Sequence, residues 1–321
     1  MRKALETKRL GMILTGFLAF SGFLLLLARS DTAIEYMKKG LKLCSEKVIP
    51  SLFPFMVISE LLVKSGVGRR LGALFGKPFR WLFGVSESTA CAFTLGLLCG
   101  FPIGASTLCS MVEQGEIGES EAVSAMTFCN NPGSAFVINA VGVSLFGSRR
   151  VGLVLYLSVI LSAITVGVAV RLMRKNKKSL SRERALCVLR MRKSGTELFT
   201  SAVSNSAVSM LTVCAYVTFF SSLLGCLGVI LEHFSVTGTA FAAIFGFFEI
   251  SGGVGMAAEI ADGRVAVMLA AAILGWSGLS VHLQISSVCK GRIDLRPYFL
   301  AKLAQSLLCT AIACCLSVTV L

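Results

Sequence analysis

Residues 128 to 136 read FCNNPGSAF, which sets two amides, a proline, a glycine and a serine inside an otherwise apolar stretch. Asn130, Asn131 and Ser134 supply acceptors, amide donors and a hydroxyl. Pro132 removes a backbone donor and Gly133 loosens the turn. Backbone that leaves the helix in hydrocarbon strands polar groups at a cost of several kcal/mol each, so such a break persists only where protein, water or a ligand satisfies them. The chemistry this suits is recognition of a polar solute or ion by half-helix ends and side-chain amides, rather than bond breaking.

A second cluster has the same character. Glu249 precedes Ser251-Gly252-Gly253 and is the only charged residue between Phe234 and Ala258. An acid at the bilayer centre costs roughly 2.5 to 3.5 kcal/mol even on a lenient scale, so it is expected to face a cavity, a partner or a proton path. Ser277, Ser280, His282 and Gln284 follow at a further glycine-containing interruption, and His282 and Gln284 are candidate partners for Glu249. Two serines near a histidine could also suggest a hydrolase. No acid in the sequence orients that histidine, so no catalytic residue is assigned and the chain is not expected to be an enzyme. Glu60, in another apolar stretch, could snorkel or pair with Lys64 one turn on.

Twelve cysteines are scattered, most in apolar segments, without a C-x-x-C pair or His/Cys metal spacing. They read as small membrane-core residues. Gly252-Gly253-Val254-Gly255 is not followed by a charged phosphate-binding helix, and P-loop, Rossmann and zinc signatures are absent. Neither a metal nor a cofactor is expected, nor an ATP-driven pump.

The elements that would position these residues are membrane helices. The chain has 321 residues, 55% hydrophobic and 15% charged, with a mean hydropathy of +0.79. Apolar stretches near the length of about 20 residues needed to span a bilayer recur at 10 to 28, 122 to 146, 151 to 172, 203 to 231, 265 to 289 and 298 to 320. Segments 88 to 112 and 236 to 258 are interrupted by glycine and, in the first, proline. Segment 10 to 28 follows basic residues and could be a signal peptide, but its apolar run is long and no clear A-x-A site follows, so an uncleaved first helix or signal anchor is expected over 1–30.

The net charge of +14 raises the question of nucleic acid, but ten Lys/Arg against one acid fall between Arg171 and Lys193, directly after an apolar helix. That pattern marks a cytoplasmic loop, and no aromatic-interleaved basic face accompanies it, so no nucleic-acid partner is expected. With the N-terminus inside, residues 31–50 form an amphipathic segment on the outer interface. The next span delivers Arg69, Arg70, Lys77 and Arg80 to the cytoplasm. Treating 88 to 112 and 236 to 258 as re-entrant leaves about seven full spans. It also places the linker 173–202 and Lys290, Arg292 and Arg296 inside and the C-terminus outside, with only Arg149 and Arg150 on the unexpected side. Charge alone does not exclude two further full spans. The re-entrant reading rests on the internal breaks.

Residues 51–172 and 203–321 repeat one order: a long helix, a glycine-broken hairpin, an interrupted helix and a plain helix. FTLGLLCGFPIGAS (93 to 106) stands opposite AIFGFFEISGGVGM (243 to 256), and FCNNPGSAF opposite LGWSGLSVHLQ (274 to 284). In the topology above the halves have opposite orientation, the inverted-repeat plan of many secondary transporters. The expected fold is all-α and polytopic, two inverted repeats each with a re-entrant hairpin and an interrupted transmembrane helix.

CGFPIGAS followed by FCNNPGSAF, with a glycine-broken second half, resembles the YlbJ-like sporulation integral membrane proteins, within the larger nucleoside-recognition Gate group. The resemblance covers nearly the whole chain after residue 40 and is most specific at Gly100-Phe101-Pro102-Ile103-Gly104-Ala105 and Asn130-Asn131. It implies a polytopic cell-membrane protein of endospore formers that serves spore-cortex formation, with a fold related to concentrative nucleoside transporters. Carrying that scheme over places Gly100, Phe101, Pro102, Gly104 and Ser106 with Glu249, Ser251 and Gly252 at hairpin tips. Asn130, Asn131, Ser134, Ser277, Ser280, His282 and Gln284 fall on the facing broken helices.

Two functions follow as expectations. One is a solute-recognition or secondary-transport protein with a midplane site between the tips, taking a small polar solute with a coupled proton, or sodium as runner-up. The other is a non-transporting component of spore-envelope assembly, with homo-oligomer or envelope partners. Few aromatic residues flank the breaks (Phe101, Phe128, Phe248 and Trp276), so a nucleoside is one option among several.

Overall fold

The computed structural model describes residues 2–65, 76–174 and 195–317. Among them every regular element is helical: α1 Arg2–Ala28, α2 Ser30–Leu43 with a π-helical turn Cys44–Val48, and α3 Ile49–Lys64. After α4 Gly76–Phe83 come α5 Glu87–Cys99, α6 Ile103–Glu113, α7 Glu119–Cys129, the π-helix π2 Ala135–Leu145 and α8 Arg149–Met173. The remainder is α9 Gly195–His233, α10 Gly238–Phe248, α11 Ile250–Ala258, α12 Gly263–Trp276, α13 Leu279–Cys289 and α14 Arg296–Ser317. Arg69, Arg70 and most of the basic linker lie outside the described residues, as does the Lys64 side chain.

Local sequence explains where the helices start. Asp262 caps α12, its Oδ1 accepting from Arg264 N at 2.9 Å and Val265 N at 3.2 Å. Ser148 caps α8 through Val151 N. Asp294 accepts from Arg296 N ahead of α14, whose second residue is Pro297, a position where the missing N–H costs nothing. Outward-facing Phe17, Leu157, Leu211 and Leu307 give α1, α8, α9 and α14 an apolar surface suited to lipid.

The element order of α5–α8 recurs in α10–α14: two short helices meeting at a tip, a broken helix, then a long helix. Both ends of the first hairpin lie at one end of the molecule. Glu121, in the first turn of α7, accepts from Ser86 N at 2.8 Å and Thr89 Oγ1 at 2.6 Å at the start of α5. At the foot of α8, Arg171 donates to the Trp81 carbonyl and Arg174 Nη2 to Ser120 Oγ. At the far end of α6, Glu113 pairs with Arg292 beyond α13.

The expected span 51 to 67 runs into residues outside the described ones. Among the described residues four helical stretches are long and apolar enough to cross a membrane, 149–173, 195–233, 263–289 and 296–317. Two pairs bent by 100° and 95° would raise the total to six, fewer than the seven expected. Among the described residues Leu52–Leu62 of α3 is a shorter apolar stretch, and the break at 130–134 leaves Ala135–Leu145 as a short helix. The first of the bent pairs joins α1 to the amphipathic segment. That segment packs along α9, with Ser222 Oγ donating to the Ala33 carbonyl at 3.0 Å and Gly40 beside Ser221. Its charged face stays out, with Lys39 and Glu35 paired at 2.7 Å. Glu60 takes Asn205 Nδ2 as a donor at 2.9 Å. α9 begins eight residues ahead of the expected 203, because the helix already runs from Gly195.

Candidate functional site

Both hairpins and both broken helices meet in the middle of the molecule. The first tip is Gly100-Phe101-Pro102, with Gly100 at φ +81° and a cis Phe101–Pro102 peptide. It sits on the break that follows α7, where a Cβ on Gly100 would come 2.5 Å from Gly133 N. The second tip is Glu249, and it meets the break after α12, Ser277-Gly278, where both residues have φ +82°. A Cβ on Gly278 would come 2.9 Å from Ile250 N.

The polar link between tip and break is the same in both halves. Ser134 Oγ donates to the Leu98 carbonyl at 3.0 Å, and Trp276 Nε1 donates to the Phe247 carbonyl at 2.8 Å. Leu98 and Phe247 are each the second-last residue of a hairpin's first arm, whose final carbonyls have no partner within the helix. Ser277 Oγ turns back to Leu274 O at 3.3 Å and Ser106 Oγ to Ile103 O at 3.1 Å. Gly104 lets α6 pass the Cys129 carbonyl, which a Cβ would overlap.

A cavity of about 40 Å³ lies where the four breaks converge. From the first half it is lined by Cys99, Gly100, Phe101, Pro132, Gly133 and Phe136, and from the second by Glu249, Ile250, Ser251, Ser280, Val281 and Gln284. Val213 and Val217 of α9 close it, with Val48 and Leu52. A water needs roughly 10 to 15 Å³ of such space, so this cavity has room for a few waters or a small ion; pockets for drug-sized ligands run to several hundred Å³.

The carboxylate of Glu249, fully buried, accepts from Ser251 N at 2.9 Å and Gly252 N at 2.5 Å. It therefore caps α11, where the helix dipole favours an anion. His282 is not its partner. Nδ1 of His282 lies 3.0 Å from the Tyr298 hydroxyl, and the ring stacks edge-on against Trp276 at 4.3 Å. A histidine at this depth finds the nearest buried hydroxyl, and α14 supplies it.

Asn130 and Asn131 face α14 on the side away from the cavity lining. Asn130 Nδ2 donates to Tyr298 Oη at 3.4 Å, while its Oδ1 has no hydrogen-bond partner among the described residues. Asn131 Nδ2 donates to Phe128 O at 2.7 Å, and its Oδ1 accepts from Lys302 Nζ at 3.1 Å and Gln305 Nε2 at 2.8 Å. Lys302 and Gln305 are wholly buried. Neither they nor Tyr298 is among the residues picked from sequence. A signal was present, since Lys302 is the only charged residue after Arg296.

Of the residues selected from sequence, Gly100, Phe101, Glu249, Ser251, Ser280 and Gln284 thus share the cavity. Asn130, Asn131 and His282 belong to the cluster on α14. Ser106, Ser134 and Ser277 bond to main-chain carbonyls.

Apolar helices of spanning length, a polar centre and broken elements around it define a multi-pass helical membrane protein. Residues 46–149 match the family model described as Gate, nucleoside recognition. The chain is 26% identical over 310 residues to the sporulation integral membrane protein YlbJ of Bacillus subtilis (strain 168), covering 87% of this chain and 76% of that protein. The resemblance read from Gly100–Ala105 and Asn130–Asn131 is borne out by both matches, since both motifs lie within 46–149. No solved structure matches.

Proposed function

We propose that this protein recognises a small polar solute at the cavity between its hairpin tips and carries it across the membrane by alternating access. The observation that carries the proposal is the convergence of two tips and two breaks on one cavity lined by Glu249, Ser251, Ser280 and Gln284. Broken helices near the midplane are how secondary transporters offer unpaired backbone groups to a solute. The matched Ser134–Leu98 and Trp276–Phe247 bonds support two equivalent halves, which the proposal takes to be inverted, with the N-terminus inside and the C-terminus outside. Glu249 is the proposed proton carrier, and no step of covalent catalysis is assigned. The relative's name supports a role as a membrane protein of a sporulating cell.

Solute binding tests the proposal. Purified protein in nanodiscs should be thermally stabilised by at least one member of a panel of nucleosides, amino acids and peptidoglycan precursors. Gln284→Ala and Ser280→Ala should abolish that gain without lowering the unfolding midpoint of the free protein by more than a few degrees. A panel without effect, with normal liposome permeability to every member, would leave assembly of the spore envelope as the role. The internal bonding of Ser106, Ser134 and Asn131 is what favours that second reading.

A further inference from the structure

Lys302 is an ammonium-bearing side chain wholly buried in α14, and among the described residues it forms no ion pair. Its Nζ donates to Asn131 Oδ1 at 3.1 Å and to Gln305 Oε1 at 2.8 Å. The rings of Phe101 and Tyr298 lie 5.9 Å and 6.0 Å from it. Buried charge is normally offset by an opposite charge. Here two neutral amide oxygens and two aromatic faces do that work, the surroundings that hold a bound alkali cation or an organic ammonium.

The position of this group matters more than its burial. Asn131 Oδ1 is held in place by Gln305 Nε2, and Asn131 Nδ2 by the Phe128 carbonyl. Phe128 lies in the last turn of α7, where the helix dipole carries partial negative charge. Lys302 therefore delivers its charge, through one asparagine, to the C-terminal end of a half-helix. In transporters with discontinuous helices that is where mobile cations are coordinated. We propose that Lys302 is a tethered cation, filling a site built by Asn131, Gln305 and the end of α7, so that the first broken helix needs no mobile ion. Phe101 also lines the cavity between the tips, but Lys302, Asn131 and Gln305 do not, so the cation response of Lys302→Ala is read without any solute.

Full-length protein in nanodiscs, unfolded by heat in choline, sodium or methylammonium chloride, tests it. The wild-type midpoint should be the same in all three salts. Lys302→Ala should unfold about 5 °C or more lower in choline, since it leaves Gln305 Oε1 without its buried donor and opens a cavity. Sodium or methylammonium at millimolar concentration should restore much of that loss saturably, and Lys302→Ala/Gln305→Leu should not respond. A Lys302→Ala protein with the wild-type midpoint, or one that no small cation restores, overturns the proposal. Should Lys302→Ala fail to fold, Lys302→Arg and Lys302→Met decide. The arginine keeps the charge and should hold the midpoint in choline within a few degrees of wild type, whereas the methionine keeps the length without the charge and should lower it. A methionine variant as stable as the arginine variant overturns the tethered-cation assignment.

Discussion

Glu249 and Lys302 each put a charge inside apolar helix, and each is accommodated by a helix end: the acid at the N-terminus of α11, the lysine through Asn131 at the C-terminus of α7. The two Glu249 oxygens take separate amides, so charge and acceptor number both count. Glu249→Gln keeps one oxygen and should destabilise by about 1 kcal/mol, whereas Glu249→Ala leaves two buried amides unsatisfied and should cost about 2 to 3 kcal/mol more. Thermal unfolding midpoints in one detergent give the ranking, and equal midpoints would remove the capping role. Glu249 was legible in the sequence because a lone acid beside Ser-Gly-Gly has no apolar alternative. Lys302 is equally alone in its segment, but that signal did not fix where its charge ends up. A long side chain near a helix start can snorkel to the interface, and only the packing of α14 against α7, α8 and α12 shows that it does not. The His282–Tyr298 contact was hidden for a related reason, since it joins two helices across a loop whose fold no local pattern encodes.

Each hairpin tip closes on the broken helix of its own half, and glycine sets the distance. Gly100 and Gly278 combine positive φ with backbone contact to Gly133 and Ile250. Gly100→Ala and Gly278→Ala should each destabilise by at least about 2 kcal/mol, from left-handed strain and from forcing tip and break apart. Gly255→Ala provides the contrast. Gly255 is helical with nothing within 4 Å of an added Cβ, so that substitution should be neutral or stabilise by up to about 1 kcal/mol. Thermal midpoints of the three variants check this, and a Gly100→Ala protein as stable as Gly255→Ala would mean the tip does not press on the break. The breaks were legible because CGFPIGA, NNPGS and WSGLS interrupt apolar runs with residues that leave the helix readily. The π-helical path of Ala135–Leu145 was not, since nothing in an alternation of Ala, Val, Phe and Gly distinguishes it from an α-helix.

Across the whole molecule the two halves are joined by α6 and α13. Cys109 Sγ lies 3.4 Å from Cys289 Sγ, and Glu113 pairs with Arg292 one turn further on. Those charges share one end of the molecule. On the proposed function, α6 and α13 form the contact across which the first hairpin would move against the second broken helix to admit a solute larger than the present cavity of about 40 Å³. A disulfide closes at about 2.05 Å, so mild oxidation should join Cys109 to Cys289 with little movement. With a protease site inserted in the linker 173–202, the two cleaved halves should stay together on a non-reducing gel, and Cys109→Ser should release them. A stabilising solute should slow this cross-linking as the tips part, and cross-linked protein in liposomes should not transport until reduced. If both thiols are instead alkylated freely and never joined, α6 and α13 are not adjacent in the membrane. If the cross-linked protein transports at the full rate, the first hairpin is not the moving part.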